Sequence, residues 1–428
     1  MDKKKLLVYA NYYYPEVAST AQIFTELCER ITDKFDVTVI CAVPCYTGQI
    51  SEEYLKKKYY FEEYNNVKVI RVRVPNFDKQ NKKSRIKHIL AYFFRSVFAT
   101  FKATKPDYIL TMSQPPILGG LLGVIGRRIN RMRFAKTKLI YNIQDYNPEQ
   151  IIAVGYLKNK LLLKLMMLLD KHSCKKSDKV IVVGRDMVET MKNRFTKKNG
   201  KLSKAMPDTV FINNWINEKE VFPLTFNDIN VAAFRKTYNL VGKFVIMYSG
   251  NIGLYYDLEN LIKVIERFKD NEQVAFAFVG DGTVKSALMS YVEEHEMHNV
   301  IFIPYQAKEK LVYSLNSADV HFVVNAKGIK GVSVPSKCYG VMAAGKPIVG
   351  ILESGSEARE LIESAQCGKC CNPEDYESVY EILKWFIENA SFEDLQVMGN
   401  NGRKYLETYL TKDVSIHRYA NEILALGE

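Results

Sequence analysis

Short β-branched or aromatic runs alternate with helical periodicity along almost the whole chain, and this alternation limits the fold more than any other feature. In the first half the runs are 6–10, 36–41, 67–72, 108–112, 138–142, 179–183 and 210–213. In the second half they are 244–249, 275–279, 300–303, 320–323 and 347–351. Between the first two, Phe24, Leu27, Cys28 and Ile31 recur at the i, i+3, i+4, i+7 spacing of one helix face. Strands alternating with helices build a mainly parallel sheet covered on both sides. The pattern resets around Phe222 and Pro223. The sequence therefore predicts an α/β chain of two Rossmann-like doubly wound domains, 1–222 and 223–410, facing a central cleft. Residues 411–428 read as a C-terminal helix able to cross back to the first domain. Sheets of this kind bind ligands at loops beyond their strand C-termini.

Composition narrows the class. Of 428 residues 47% are apolar and 25% charged, the balance of a globular chain. No apolar run reaches the ~20 residues of a spanning helix. Met1 to Lys5 leads straight into the short apolar run 6–10, too short for a signal peptide, so a cytoplasmic protein is expected. Eight cysteines are scattered, and the tightest group, Cys367, Cys370 and Cys371, lacks a second pair or nearby histidines. Reduced thiols and no metal are expected. The charge is uneven: residues 1–250 hold 43 basic and 22 acidic residues, net +21, and residues 251–428 hold 17 and 26, net −9. A basic first half calls for an anionic partner.

Two turns between strand and helix bring glycines together, Gly250-Asn251-Ile252-Gly253 and Gly280-Asp281-Gly282. Each reads either as an anion-binding loop or as a tight structural turn. Neither matches a Walker loop or a dinucleotide fingerprint. Pro335 is expected to open a helix, with Ser336 and Lys337 in its first turn. A lysine there opposes the helix dipole, and a bound phosphate would reconcile it. Gly355-Ser356-Glu357 offers a further helix start. In the first half, Asp145 closes a strand. It reads as a carboxylate facing the acceptor or as an Asx turn before Pro148. Ser19 and Thr20 either hold an anionic acceptor group or cap the first helix.

As an ordered set these motifs resemble a family-4 glycosyltransferase of the GT-B fold. The second half carries Ser249 to Gly253, Val279 to Gly282, Pro304-Tyr305-Gln306, Ala318-Asp319, Pro335 to Lys337, Ala343 to Pro347 and Gly355 to Glu357. The first half carries Tyr13-Tyr14-Pro15, Ala18 to Gln22, Pro44 to Gly48, Asp145 to Glu149 and Asn214-Trp215, and is similar to the subgroup building bacterial capsule, O-antigen and colanic-acid-type polysaccharides. The resemblance implies retaining transfer from a nucleotide-diphosphate sugar, by default a UDP-sugar, to a lipid-linked saccharide, with no cofactor or metal. Asp145 and Lys337 are implied as catalytic. Gly250, Asn251 and Gly253 would face the donor pyrophosphate, which Ser336 and Lys337 neutralise. Gly280, Asp281, Gly282, Tyr305 and Gln306 would border the nucleoside, and Gly355, Ser356 and Glu357 would lie near donor hydroxyls. Ser19, Thr20, Gln22, Glu149 and Asn214 fall on the acceptor side. The chain departs from many members at Val332 and Gly340, where they carry glutamates, and at Asn251 and Tyr256, where they carry Arg and Lys. Two other readings stay open: a nucleotide-sugar 2-epimerase and a non-catalytic subunit.

The basic half also carries amphipathic stretches. In 85–105, Ile86, Leu90, Phe93, Phe94, Val97 and Phe101 form an apolar face flanked by Arg85, Lys87, Arg95, Lys102 and Lys105. The run 161–169 is bracketed by Lys158, Lys160, Lys164, Lys171, Lys175 and Lys176, and Arg127, Arg128, Arg131 and Arg133 form a third cluster. Such helices suit either a core-and-rim role or a membrane interface. With the charge division they predict peripheral binding to an anionic membrane on its inner face. No nucleic-acid motif accompanies the charge.

Overall fold

The computed structural model describes residues 3–16, 18–46, 48–78 and 81–427. Met1, Asp2, Thr47 and Glu428 of the segments read above lie outside them. Among the described residues two sheets form, in two compact units. Unit one comprises residues 1–149, 157–213 and 415–428, and unit two comprises 150–156 and 214–414.

Unit one carries β1 (Lys4–Tyr9), β2 (Phe35–Ala42), β3 (Tyr59–Tyr64), β4 (Val67–Val72), β5 (Tyr108–Met112), β6 (Lys138–Ile143), β7 (Lys179–Val182) and β8 (Asp208–Phe211). They lie in the order β3-β4-β2-β1-β5-β6-β7-β8, all parallel except β3. The order reverses between β1 and β5, where a doubly wound sheet opens at its C-terminal edge. The helix Leu118–Met132 packs between the helices Lys82–Thr100 and Lys160–Lys176. It sits close to the sheet because a Cβ at Gly123 would fall 2.5 Å from Thr111 Cγ2. The glycines of this segment thus serve packing. Asn81 and Asn159 start the two outer helices, each accepting two backbone N–H groups. From the C-terminal helix Lys412–Leu424, Tyr419 accepts a hydrogen bond from Asn142 of β6 at 2.8 Å, and Glu422 pairs with Lys179 of β7.

Unit two carries β9 (Phe244–Ser249), β10 (Val274–Val279), β11 (Val300–Ile303), β12 (Val320–Val324), β13 (Ile348–Ile351) and β14 (Gly368–Cys371). All are parallel, in the order β11-β10-β9-β12-β13-β14. This is the dinucleotide-fold order, with its reversal between β9 and β12. Its core joins Ile246, Tyr248, Phe276, Phe278 and Phe322 to Leu261, Ile265 and Leu383 of the covering helices.

The doubly wound α/β expectation holds in both sheets. Two strands escaped it. β3 is an edge strand rich in Tyr and Glu, joined to β4 by Asn65 and Asn66 at φ 47° and 64°, the backbone of a type I′ hairpin. β14 is the Gly-Lys-Cys-Cys segment, whose composition carries no strand signal. All eight cysteines are free thiols, Cys370 alone being more than slightly exposed.

Candidate active site

In unit two the turns after β9 and β10 stack backbone on backbone. Gly250 N–H donates to Val279 O at 2.9 Å, and Ile252 N–H donates to Asp281 O at 2.9 Å. A Cβ at Gly280 would lie 2.0 Å from Gly250 O, and Gly250 and Gly280 have φ of +143° and +138°. Side chains are therefore excluded from this contact, and the glycines answer to both the turn and the close approach. Asp281 accepts from the following Gly282 N–H at 2.9 Å.

Lys337 lies over this pair of turns. A Cβ on Gly250 would sit 2.4 Å from Lys337 Cε. Its Nζ is 3.7 Å from the Tyr256 ring centroid and 4.9 Å from that of Tyr248. Among the described residues no carboxylate pairs with it. Although the side chain is not wholly closed off from solvent, burial pushes its pKa down from 10.5 to about 7. A lysine with no carboxylate partner over two glycine turns could take an anion as its counter-charge. Tyr256, at a position where many family-4 members carry a base, supports the ammonium through its ring face.

Lys337 opens the short helix Lys337–Ala343, with Ser336 as N-cap and Pro335 just outside. The expected longer helix beginning at Pro335 is thus corrected by two residues. This helix is fixed from behind by the helix Phe392–Tyr409. There Gly399 meets Gly345 so closely that a Cβ would be 2.0 Å from its carbonyl, and Arg403 donates to Ala343 O at 2.8 Å. Val332 and Gly340 are both buried.

Glu357 is buried at the first turn of the helix Glu357–Ala365, with Ser356 as N-cap and Gly355 at φ +72°. Asn251 and Tyr305 are exposed, and Gln306 Nε2 donates to Pro304 O at 2.8 Å. Asn214 is buried at the start of unit two's second segment.

In unit one, Asp145 follows β6, partly exposed. Its N–H and that of Gln144 point to Ser113 Oγ, at 3.4 and 3.1 Å. Thr20 Oγ1 donates to Gln114 Oε1 at 3.0 Å, and Ser19 is exposed. The helix Ser19–Arg30 has Ala18 as N-cap and no side-chain cap, so neither Ser19 nor Thr20 caps it. Gln22 is partly buried on the same helix and donates its N–H to Ala18 O at 3.1 Å. Glu149 is committed elsewhere: both its oxygens bind Arg194, at 2.6 and 2.5 Å. Sequence reading missed Arg194, since a basic residue in a helix gives no sign of a distant carboxylate partner.

Comparison with known proteins decides the class. Residues 231–405 match the family model described as glycosyl transferases group 1. The chain is a glycosyltransferase. It is 29% identical over 353 residues to a probable glycosyltransferase, WbjE of Pseudomonas aeruginosa, covering 80% of this chain and 82% of that one. It is 27% identical over 428 residues to WcaI of Escherichia coli K12, a putative colanic acid biosynthesis glycosyl transferase, covering 98% and 99%. The glycosyltransferase shares its GT-B fold with Anabaena HepE, solved in complex with UDP and glucose: TM-score 0.68, 14% identity, 98% and 99% covered.

The glycosyltransferase also presents apolar stripes to solvent. On the helix Lys82–Thr100, Ile86, Leu90, Phe94 and Phe98 recur every four residues, with Phe94 57% and Phe98 61% exposed. On the helix Lys160–Lys176, Leu161 is 79% and Leu165 50% exposed, and Leu168 continues the line. Phe93 turns inward, so the apolar face of the first helix divides between core and solvent. Several flanking bases are used internally. Arg95 donates to Arg73 O, Arg127 pairs with Asp178 at 2.8 Å, and Arg133 donates to Ala103 O at 3.1 Å. Lys87, Arg128, Arg131, Lys160 and Lys164 remain exposed. Among the described residues no helix is long and apolar enough to cross a membrane, and no cluster of His, Cys, Asp and Glu could hold a metal ion.

Proposed function

We propose that this glycosyltransferase moves a sugar, with retention of configuration, from a UDP-sugar to a lipid-linked saccharide during bacterial surface-polysaccharide assembly. It would work on the inner face of the membrane with no cofactor beyond the donor. The observation that carries the reading is Lys337, an unpaired and partly buried lysine over the stacked Gly250 and Gly280 turns. A diphosphate there supplies the missing negative charge and draws a proton onto Nζ. As the bond from the anomeric carbon to the diphosphate breaks, charge grows on the leaving oxygen, and a fixed ammonium is worth more there than in the ground state. Gly250, Asn251, Gly253 and Ser336 would face the diphosphate with Lys337, the exposed Asp281 and Tyr305 and the half-buried Gln306 would border the nucleoside, and Gly355, Ser356 and Glu357 would line the sugar side. Asp145, aided by Ser19, Thr20, Gln22 and Asn214, would orient the acceptor hydroxyl or take its proton. Glu149, with both oxygens on Arg194, is left out of acceptor contact. The likeness to WcaI supports the polysaccharide role, and the UDP held by HepE supports the nucleotide. The exposed stripes beside Lys87, Lys160 and Lys164 support docking on an anionic leaflet.

Asp145→Asn tests the acceptor half of this reading. It keeps size and turn propensity and removes the charge. UDP affinity, measured by calorimetry, is expected to stay within about twofold of wild type, with transfer reduced roughly a hundredfold or more. Near-native transfer by the Asn enzyme would return Asp145 to a purely structural turn.

A further inference from the structure

Arg194, in the last turn of the helix Arg185–Phe195, is buried at 8% exposure among partners that converge on one short segment. Its Nε and Nη2 donate to the two oxygens of Glu149, at 2.6 and 2.5 Å. Nη2 also donates to Asn147 O at 3.1 Å, and the guanidinium lies 4.2 Å from the Tyr146 ring centroid. Nη1 donates to Asp170 Oδ2 at 2.5 Å, and the other oxygen of Asp170 accepts from Tyr141 OH at 2.7 Å. Tyr146 OH donates to Met187 O at 3.1 Å. Residues 146, 147 and 149, which follow Asp145 directly, are therefore held by a single side chain.

A buried ion-pair network is a costly way to pack a helix on a sheet. Apolar side chains of like volume often serve stability equally well. What the planar guanidinium adds is direction: its fork fixes a carboxylate, a carbonyl and a ring at once. We propose that Arg194 is the positioning residue of the acceptor carboxylate. By holding residues 146–149 it sets where Asp145 stands against the incoming hydroxyl. Glu149 belongs to this clamp, and Asp170 aligns Arg194 from the opposite side. The proposal rests on the reading of Asp145 given above.

The test is a mutant cycle on the full chain. Glu149→Gln, Arg194→Lys and Arg194→Met are made alone and in the Asp145→Asn background. Melting temperature, UDP binding and radiolabel transfer from the nucleotide sugar that supports wild-type turnover are measured. Glu149→Gln keeps shape and is the variant to use should Arg194→Met not fold. Misplacing a reacting group by about 1 Å costs on the order of a hundredfold. The expected result for Glu149→Gln and Arg194→Lys is wild-type UDP affinity with transfer lowered roughly tenfold to a hundredfold. In the Asp145→Asn background the same changes should lower transfer no further, because the group they position is gone. Equal losses in both backgrounds, or wild-type transfer by Glu149→Gln, would overturn the positioning role while leaving Asp145 in place. Wild-type transfer by Asp145→Asn alone would instead remove the reading on which the clamp depends.

Discussion

At the residue scale, Lys337 carries two opposed consequences. Its folded pKa of about 7 lies below the ordinary lysine value because burial disfavours the ammonium. Between that pH and the unfolded value near 10.5, the unfolded chain binds more protons, so this group makes stability rise with pH through that window. At and below neutrality the buried charge is a burden on the fold. Lys337→Met should therefore melt at least as high as wild type at pH 6.5. The same change removes a charge-assisted hydrogen bond worth roughly 1.5–3 kcal/mol and should weaken UDP binding about tenfold or more. Wild-type UDP binding should also take up a proton at pH 8, visible in calorimetry as a dependence on buffer ionisation enthalpy, and Lys337→Met should lose that uptake. Equal UDP affinity in the two proteins would remove Lys337 from the site. In the sequence, the lysine was legible as a misfit at a helix start. Its aromatic support from Tyr248 and Tyr256 was not, because those rings reach it from another strand and turn.

At the scale of elements, most of the sheet could be read because buried parallel strands are near-continuous apolar runs. Thus 67–72, 108–112, 244–249 and 300–303 coincide with β4, β5, β9 and β11. β3 and β14 are edge strands, stabilised by one neighbour each, and edges need no apolar pattern. The amphipathic helices show the same limit from the other side. Periodicity marked Phe93 and Phe94 alike, and only packing separates the buried ring from the exposed one. The exposed residues give a prediction. Changing Phe94, Phe98, Leu161 and Leu165 together to Ser removes apolar stripe without opening the core, so the melting temperature should hold. Wild-type protein should sediment with phosphatidylglycerol vesicles at low salt and less so as salt screens charge beyond roughly 8 Å at physiological strength. The Ser variant should stay in the supernatant. Wild-type protein that ignores anionic vesicles at low salt would reduce the stripes to ordinary surface.

At the scale of the whole molecule, charge and chemistry divide the same way. The net +21 of residues 1–250 accompanies the exposed stripes and Asp145, and the net −9 of residues 251–428 accompanies the Gly280 turn and Lys337. In the acidic half Lys337, with no carboxylate partner among the described residues, lies over the glycine turns, a placement that suits an anion. A basic half whose spare lysines border apolar stripes suits a negatively charged surface. A transferase acting on a lipid-linked acceptor, as proposed, would use both, whereas an enzyme that only remodels a nucleotide sugar would use the first. The most direct measurement is therefore the fate of a labelled sugar. Wild-type protein is incubated with a panel of radiolabelled UDP-sugars, with and without lipid-diphosphate-linked saccharide, and lipid and aqueous phases are separated. Label should pass to the lipid phase, from one or a few donors, with UDP released in equal amount only when acceptor is present. UDP release that ignores the acceptor, with label left as free sugar or as an epimer, would contradict it.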